Sequence, residues 1–190
     1  MAERIAGGNE LLDATKIIQK ASISYSMKVG DFGCGGTGIF ALQAAKAVGD
    51  KGTVYAVDIL KSVLASVVSK AHMQTINNIK PVWSNLEIYG ATKIPNGTCD
   101  RGLLINILFE SKKQKEILRE VKRMMKREGL LLIVDWKPYG APFGPLEKDR
   151  VSPEKVETMA RELGFQLLES FEAGPFHYGL LFINPSPEIT

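Results

Sequence analysis

The feature that most constrains this chain is a glycine run, Asp31-Phe32-Gly33-Cys34-Gly35-Gly36-Thr37-Gly38. Residues 27–32 before it read as a short strand. Residues 37–48 after it carry Ile39, Phe40, Leu42, Ala45 and Val48 on one side at helical spacing, and Gly49 stops the helix. A strand, a glycine loop and a helix in that order let backbone N–H groups approach a ligand closely, because no Cβ intervenes. The helix N-terminus favours an anionic group there. Twenty residues beyond Gly38, Asp58 closes a second apolar strand at 53–57. A carboxylate in that place accepts from ribose hydroxyls. The ligand expected here therefore carries a nucleoside.

Two cofactor classes fit the pattern. Gly33-x-Gly35-x-x-Gly38 followed by Asp58 matches the fingerprint of a nicotinamide or flavin dinucleotide. S-adenosylmethionine also presents an adenosine, but no phosphates. Asp31, two residues before the first glycine, would repel a pyrophosphate and tolerates the cationic amino and sulfonium groups. The loop also lies behind an N-terminal helical segment, read as capped by Asn9 with Leu11, Leu12, Ala14, Ile17, Ile18 and Ala21 apolar. The end of the chain is a poor match to a second parallel nucleotide-binding half. These points favour S-adenosylmethionine.

The rest of the chain alternates strand and helix. A helix is expected at 61–73, strands at 79–83 and 102–108, a basic helix at 112–127, the most strand-like run at 130–134, and a helix started by Ser152-Pro153. Strands at 165–171 and 178–183 flank Gly174-Pro175 and read as a hairpin. Alternation implies right-handed crossovers and a mostly parallel sheet with helices on both faces. The 190 residues suit one domain over 1–190: a helical segment at 1–26, an α/β core at 27–184, and a loop at 137–151 placed to face a substrate. That loop holds Pro138, Pro142, Pro145, Gly140 and Gly144 and shows no periodicity.

Composition narrows the function class. The chain is 45% hydrophobic and 24% charged, which argues against disorder. No apolar run approaches the ~18 residues of a membrane span, and no signal region opens the chain, so a cytoplasmic location is expected. Net charge is +3, and the eight Lys or Arg within 112–127 share the stretch with an apolar stripe. That pattern reads as a core-packed helix with a solvated basic face, and nucleic acid is not the favoured partner. Cys34 and Cys99, with His72 and His177, lack metal-ligand spacing, so neither a metal site nor a disulfide framework is expected.

On these residues the sequence resembles the class I S-adenosylmethionine-dependent methyltransferase family over nearly its whole length. In texture it is similar to the quinone-biosynthesis and arsenite-type members, although its two cysteines speak against arsenite as substrate. The resemblance implies a Rossmann-like, doubly wound α/β fold with a seven-stranded sheet and a C-terminal antiparallel hairpin. It implies a cofactor site at Asp31, Gly33, Cys34, Gly35, Thr37 and Gly38, at Asp58 with Ile59, at Asn85 and Leu86 after the third strand, and at Asn106 after the fourth. Asn85 stands where an aspartate is commoner. S-adenosylhomocysteine would be the product, and a small molecule the acceptor. Asp135, His177 and Tyr139, with Trp136, Lys137 and Tyr178, are the candidates for the acceptor side. The chain has no Asn/Asp-Pro-Pro-Tyr run after the fourth strand and no Pro-Cys nucleophile, which disfavours nucleobase acceptors. A dinucleotide-dependent oxidoreductase and a non-catalytic cofactor-binding subunit are the alternatives.

Overall fold

The computed structural model describes residues 11–186. In chain order the elements are α1 (Ala14–Lys20), β1 (Lys28–Phe32), α2 (Ile39–Val48), β2 (Thr53–Asp58), α3 (Lys61–Met73), β3 (Ile79–Trp83), β4 (Cys99–Ile105), α4 (Gln114–Met124), β5 (Met125–Trp136), α5 (Pro153–Glu162), β6 (Gln166–Gly174) and β7 (His177–Asn184). The strands form one seven-stranded sheet in the order β3-β2-β1-β4-β5-β7-β6. The first five strands run parallel, and β7 lies antiparallel between β5 and β6. This is the expected Rossmann-like architecture with its terminal hairpin.

The central strands are buried on both faces, which is why they read as continuous apolar runs. Alternate side chains feed two cores. Val29, Leu103, Ile105, Leu132 and Val134 pack with α1, α2 and α3. Phe32, Leu104, Leu131 and Ile133 pack with α4 and α5. The chain builds outward from β1 to β3 and then returns to place β4 on the other side of β1. Ligands of open α/β sheets lie at the carboxyl ends of the strands where the order reverses in this way. The glycine loop leaves β1 and Asn106 leaves β4 at that crevice.

Two local expectations are corrected, and a third falls outside the described residues. The Asn9 cap lies outside the described residues; α1 is capped by Asp13, whose carboxylate accepts from the Lys16 N–H at 3.2 Å. β4 starts and stops three residues early, because Asn106 adopts a left-handed conformation (φ 57°) and Leu108–Glu110 form a 3-10 turn. The basic helix ends at Met124 and passes directly into β5, so Lys126 and Arg127 are strand residues. Glu128 (φ 59°) takes up the turn, and the β4–β5 register shifts between Cys99 and Arg101.

The basic face is also less solvated than its composition suggests. Glu120 is fully buried and pairs with Arg123 at 2.8 Å. Glu120 accepts from the Gly90 and Thr92 N–H groups, while Arg123 donates to the Thr92 and Ile94 carbonyls. The pair clamps the segment after β3 onto α4. Lys112, Lys113 and Lys115 face Asp149, Glu87 and Glu162. Much of the positive run therefore ties the chain to itself.

Candidate cofactor and acceptor site

The glycine loop is held by its own backbone. The Gly33 and Cys34 N–H groups donate to the Val57 carbonyl at 2.8 and 3.0 Å, which bonds the loop to the end of β2. The Gly38 N–H donates to Gly35 at 3.1 Å. Gly33 has φ 86°, and a Cβ there would stand 2.2 Å from the Ile107 side chain. Only glycine lets β1 and the loop after β4 approach this closely. From outside, α3 fixes the loop: Lys70 Nζ donates to the Gly36 and Thr37 carbonyls at 2.8 and 3.2 Å, and Ser66 Oγ donates to Gly36 at 3.1 Å. Sequence reading missed these two residues, although their spacing of four places them on one face of a helix.

Asp31 is almost completely buried beneath this loop. It accepts from the Ala41 N–H, in the first turn of α2, and its Oδ2 has no partner among the described residues. Burial, opposed by the Ala41 bond and reinforced by the nearby Asp58 charge, lifts its carboxyl to about 7. The Thr37 hydroxyl is a second buried oxygen without a partner among the described residues. Cys34, also buried, has its thiol pushed up by burial and by Asp31 and Asp58, so it is not a ready nucleophile.

Asp58 ends β2, half-buried. Its Oδ2 accepts from the Gly35 N–H at 3.2 Å and its Oδ1 from the Leu60 N–H at 2.9 Å. A carboxylate has about four lone-pair sites, so capacity remains for ribose hydroxyls. Ile59 beside it is exposed, and its carbonyl accepts from the Trp83 indole at 2.9 Å. Leu86 is buried in the α4–α5 core. Asn85 Oδ1 accepts from the Glu87 N–H at 2.9 Å, which caps the turn after β3. The Asn106 N–H donates to Val134 at 2.8 Å, which seats this residue between β4 and β5.

The acceptor-side candidates separate into different roles. Asp135 is fully buried, and its two oxygens accept from the Leu108 and Trp136 N–H groups at 3.0 and 2.8 Å. It shapes the turn after β4; burial raises its carboxyl to about 7 despite these bonds. The Tyr178 hydroxyl donates to the Val151 carbonyl at 2.9 Å and anchors the end of the 137–151 loop. Tyr139 is exposed on that loop and lines an open groove of about 480 Å³ with Lys137, Pro153, Glu172 and Tyr178. His177 is fully buried at the start of β7, paired with Trp136 across the sheet, with ring centroids 4.4 Å apart. Burial and the charges of Lys137 and Arg150 lower its imidazole to about 4. Among the described residues no group of His, Cys, Asp or Glu is placed to hold a metal, and no helix is long and apolar enough to cross a membrane.

Residues 30–133, more than half of the chain, match the family described as Methyltransferase domain. No curated protein matches the chain. Among solved structures it is similar to a SAM-dependent methyltransferase from Aquifex aeolicus, with 25% identity, a TM-score of 0.83, and coverage of 92% of this chain and 90% of that one. It shares the fold of the cyclase SpnF (14% identity, TM-score 0.76, 90% and 79% covered). It also shares the fold of an arsenic(III) S-adenosylmethionine methyltransferase from Chlamydomonas reinhardtii (20% identity, TM-score 0.71, 88% and 66% covered). The glycine cradle, the acid at the end of β2 and the sheet order agree with the family match: the chain belongs to the class I S-adenosylmethionine-dependent methyltransferases.

Proposed function

We propose that this chain transfers a methyl group from S-adenosylmethionine to a small-molecule acceptor held over the carboxyl ends of β4 and β5. The observation that carries the cofactor reading is the Asp31 carboxyl buried beneath the glycine loop, whose Oδ2 has no partner among the described residues. A pyrophosphate seated on the helix N-terminus would lie against this acid. The cradle offers a buried carboxyl oxygen and a buried hydroxyl. Those groups suit a cationic amino group and oppose a phosphate.

In this reading Asp31 and Thr37 face the amino-acid end of the cofactor, and Gly33, Cys34, Gly35 and Gly38 admit it closely. Asp58 takes the ribose hydroxyls, Ile59, Asn85 and Leu86 border the adenine, and Asn106 lies at the methionine side. S-adenosylmethionine supplies a methyl group already activated by its sulfonium. The protein's part is to orient the acceptor and exclude water. Asp135 acts by holding the 108–110 turn in place, and Tyr139 sits at the outer rim.

Calorimetry tests the reading. S-adenosylmethionine and S-adenosylhomocysteine are expected to bind, and NADH is not; the reverse pattern would overturn it. Turnover of labelled S-adenosylmethionine with a metabolite pool separates an enzyme from a cofactor-binding subunit.

A further inference from the structure

We propose that His177 is the recognition residue of the acceptor site, and that the acceptor is a planar aromatic molecule bearing a hydroxyl group. The inference rests on the methyltransferase reading and adds the acceptor's class to it. His177 has no exposed surface, yet neither imidazole nitrogen has a hydrogen-bond partner among the described residues. A buried polar group left unpaired is costly and rare. Among the described residues the imidazole anchors no turn and bridges no strands through a hydrogen bond.

Its place points to the acceptor. Trp136 and His177 are directly paired, so both side chains lie on the face that carries Val134 and, across β4, Ile105. His177 stands two strands from β4, a lateral step of about 10 Å. That is the reach of a ring laid from the β4 end toward β7, with its far edge at the imidazole. His177 thus reads the end of the acceptor remote from the cofactor.

The surroundings define the chemistry. The walls are aromatic: Trp136 lies against the imidazole, Phe143 meets Trp136 edge-on at 6.2 Å, and Phe176 meets Phe143 edge-on at 4.9 Å. Flat rings fill such walls best. Burial keeps the imidazole neutral, and the charged groups bearing on it, Lys137 and Arg150, are both cations, which add to this and oppose a cationic ligand. A neutral imidazole offers one acceptor and one N–H donor. A hydroxyl complements it, because it donates and accepts through one atom.

Access is through residues 137–150, which fold over this wall. The strap is braced within itself. Arg150 donates to the carbonyls of Pro145, Lys137, Ala141 and Phe143 and lies over the Trp136 ring at 5.7 Å. Its ends are pinned, by the Lys137 N–H to the Phe176 carbonyl and by Tyr178 to Val151. Its middle rests on the indole at Gly144, by contact rather than by hydrogen bonds. Lifting it would break the Asp149–Lys112 pair but no bond of the sheet.

The chain has two histidines, and exposed His72 serves as an internal control. The test is imidazole nitrogen NMR on the full chain loaded with S-adenosylhomocysteine, titrated with 4-methylphenol and with its O-methyl ether. The phenol is expected to move the His177 nitrogens saturably and leave His72 unmoved, while the ether does not move His177. His177→Phe is expected to bind 4-methylphenol about tenfold more weakly, with unchanged S-adenosylhomocysteine affinity. An unmoved His177 resonance in the wild type would overturn the proposal. So would a His177→Phe chain that melts higher and keeps its phenol affinity, because the imidazole would then be core filling. S-adenosylhomocysteine binding is measured on the same samples, and its failure would sink the cofactor reading instead.

Discussion

Two loops at the carboxyl end of the sheet are rich in glycine or proline, and they are held in opposite ways. The 33–38 loop is bonded to the sheet, with two N–H groups on the Val57 carbonyl and a third on the Asp58 carboxylate. The 137–150 strap is braced within itself through the guanidinium of Arg150, and is tied to the rest of the chain near its two ends, by Lys137 to Phe176 and Glu172 and by Asp149 to Lys112. A loop tied to strand ends has its geometry set by the sheet. A loop braced internally and tied at its ends keeps its shape, while its middle has few bonds to break in moving from the sheet. Under the proposed function, the first loop suits the invariant ligand and the second the exchangeable one.

Substitutions at each loop test that contrast. The largest effect is expected at Gly33→Ala. The left-handed φ of 86° and the 2.2 Å approach to Ile107 together cost about 2–4 kcal/mol of stability, and cofactor affinity falls with it. Denaturant melts should show part of the loss restored by Ile107→Ala; an unrestored double variant would mean that strain rather than the clash dominates. Arg150→Ala comes next, at about 1–3 kcal/mol for the lost donors. Limited proteolysis should then cut within residues 138–149 while calorimetry finds cofactor affinity unchanged. Weakened cofactor binding in that variant would erase the contrast between the loops.

Asp58→Ala is expected to weaken cofactor binding by about 1–3 kcal/mol, because it removes a charged acceptor and the Gly35 tether together. An unchanged affinity would remove Asp58 from the site. Asp31→Asn should act on pH dependence. Asp31 titrates near 7 when folded, against an ordinary aspartate value near 4 when unfolded. Between about pH 4 and 7 the folded chain keeps a proton that the unfolded chain has released, so this group's stability contribution falls as pH rises. The asparagine variant is therefore expected to melt above wild type near pH 8, with the gap closing toward pH 4. Cofactor affinity should drop in the same variant. Lys70→Met is expected to be mildest, about 0.5–1 kcal/mol in cofactor affinity, with Lys70→Arg restoring part of it.

The two loops also differ in how far the sequence reveals them. Strand, glycines, helix and Asp58 are local signals, and they predict the cradle because each is set by neighbours in the chain. The strap's order depends on Arg150 reaching carbonyls up to thirteen residues away, a contact no periodicity encodes. Asn106 presents the same difficulty. Its left-handed turn depends on a neighbouring strand, because Asp135 on β5 caps the turn that follows it. The Glu120–Arg123 pair reads as surface charge from spacing alone, since its burial comes from the segment it clamps. His177, an isolated histidine in the sequence, gains meaning only when β7 inserts beside β5.

That insertion orders the assembly of the site in time. β7 is the last strand, yet it lies inside the sheet, with β6 outside it. A chain growing from its N-terminus presents every cradle residue from Asp31 to Asn106 before His177 has been made. The wall around His177 needs β7 beside β5, so under the proposed function the half that binds the shared cofactor is synthesised before the half that chooses the acceptor.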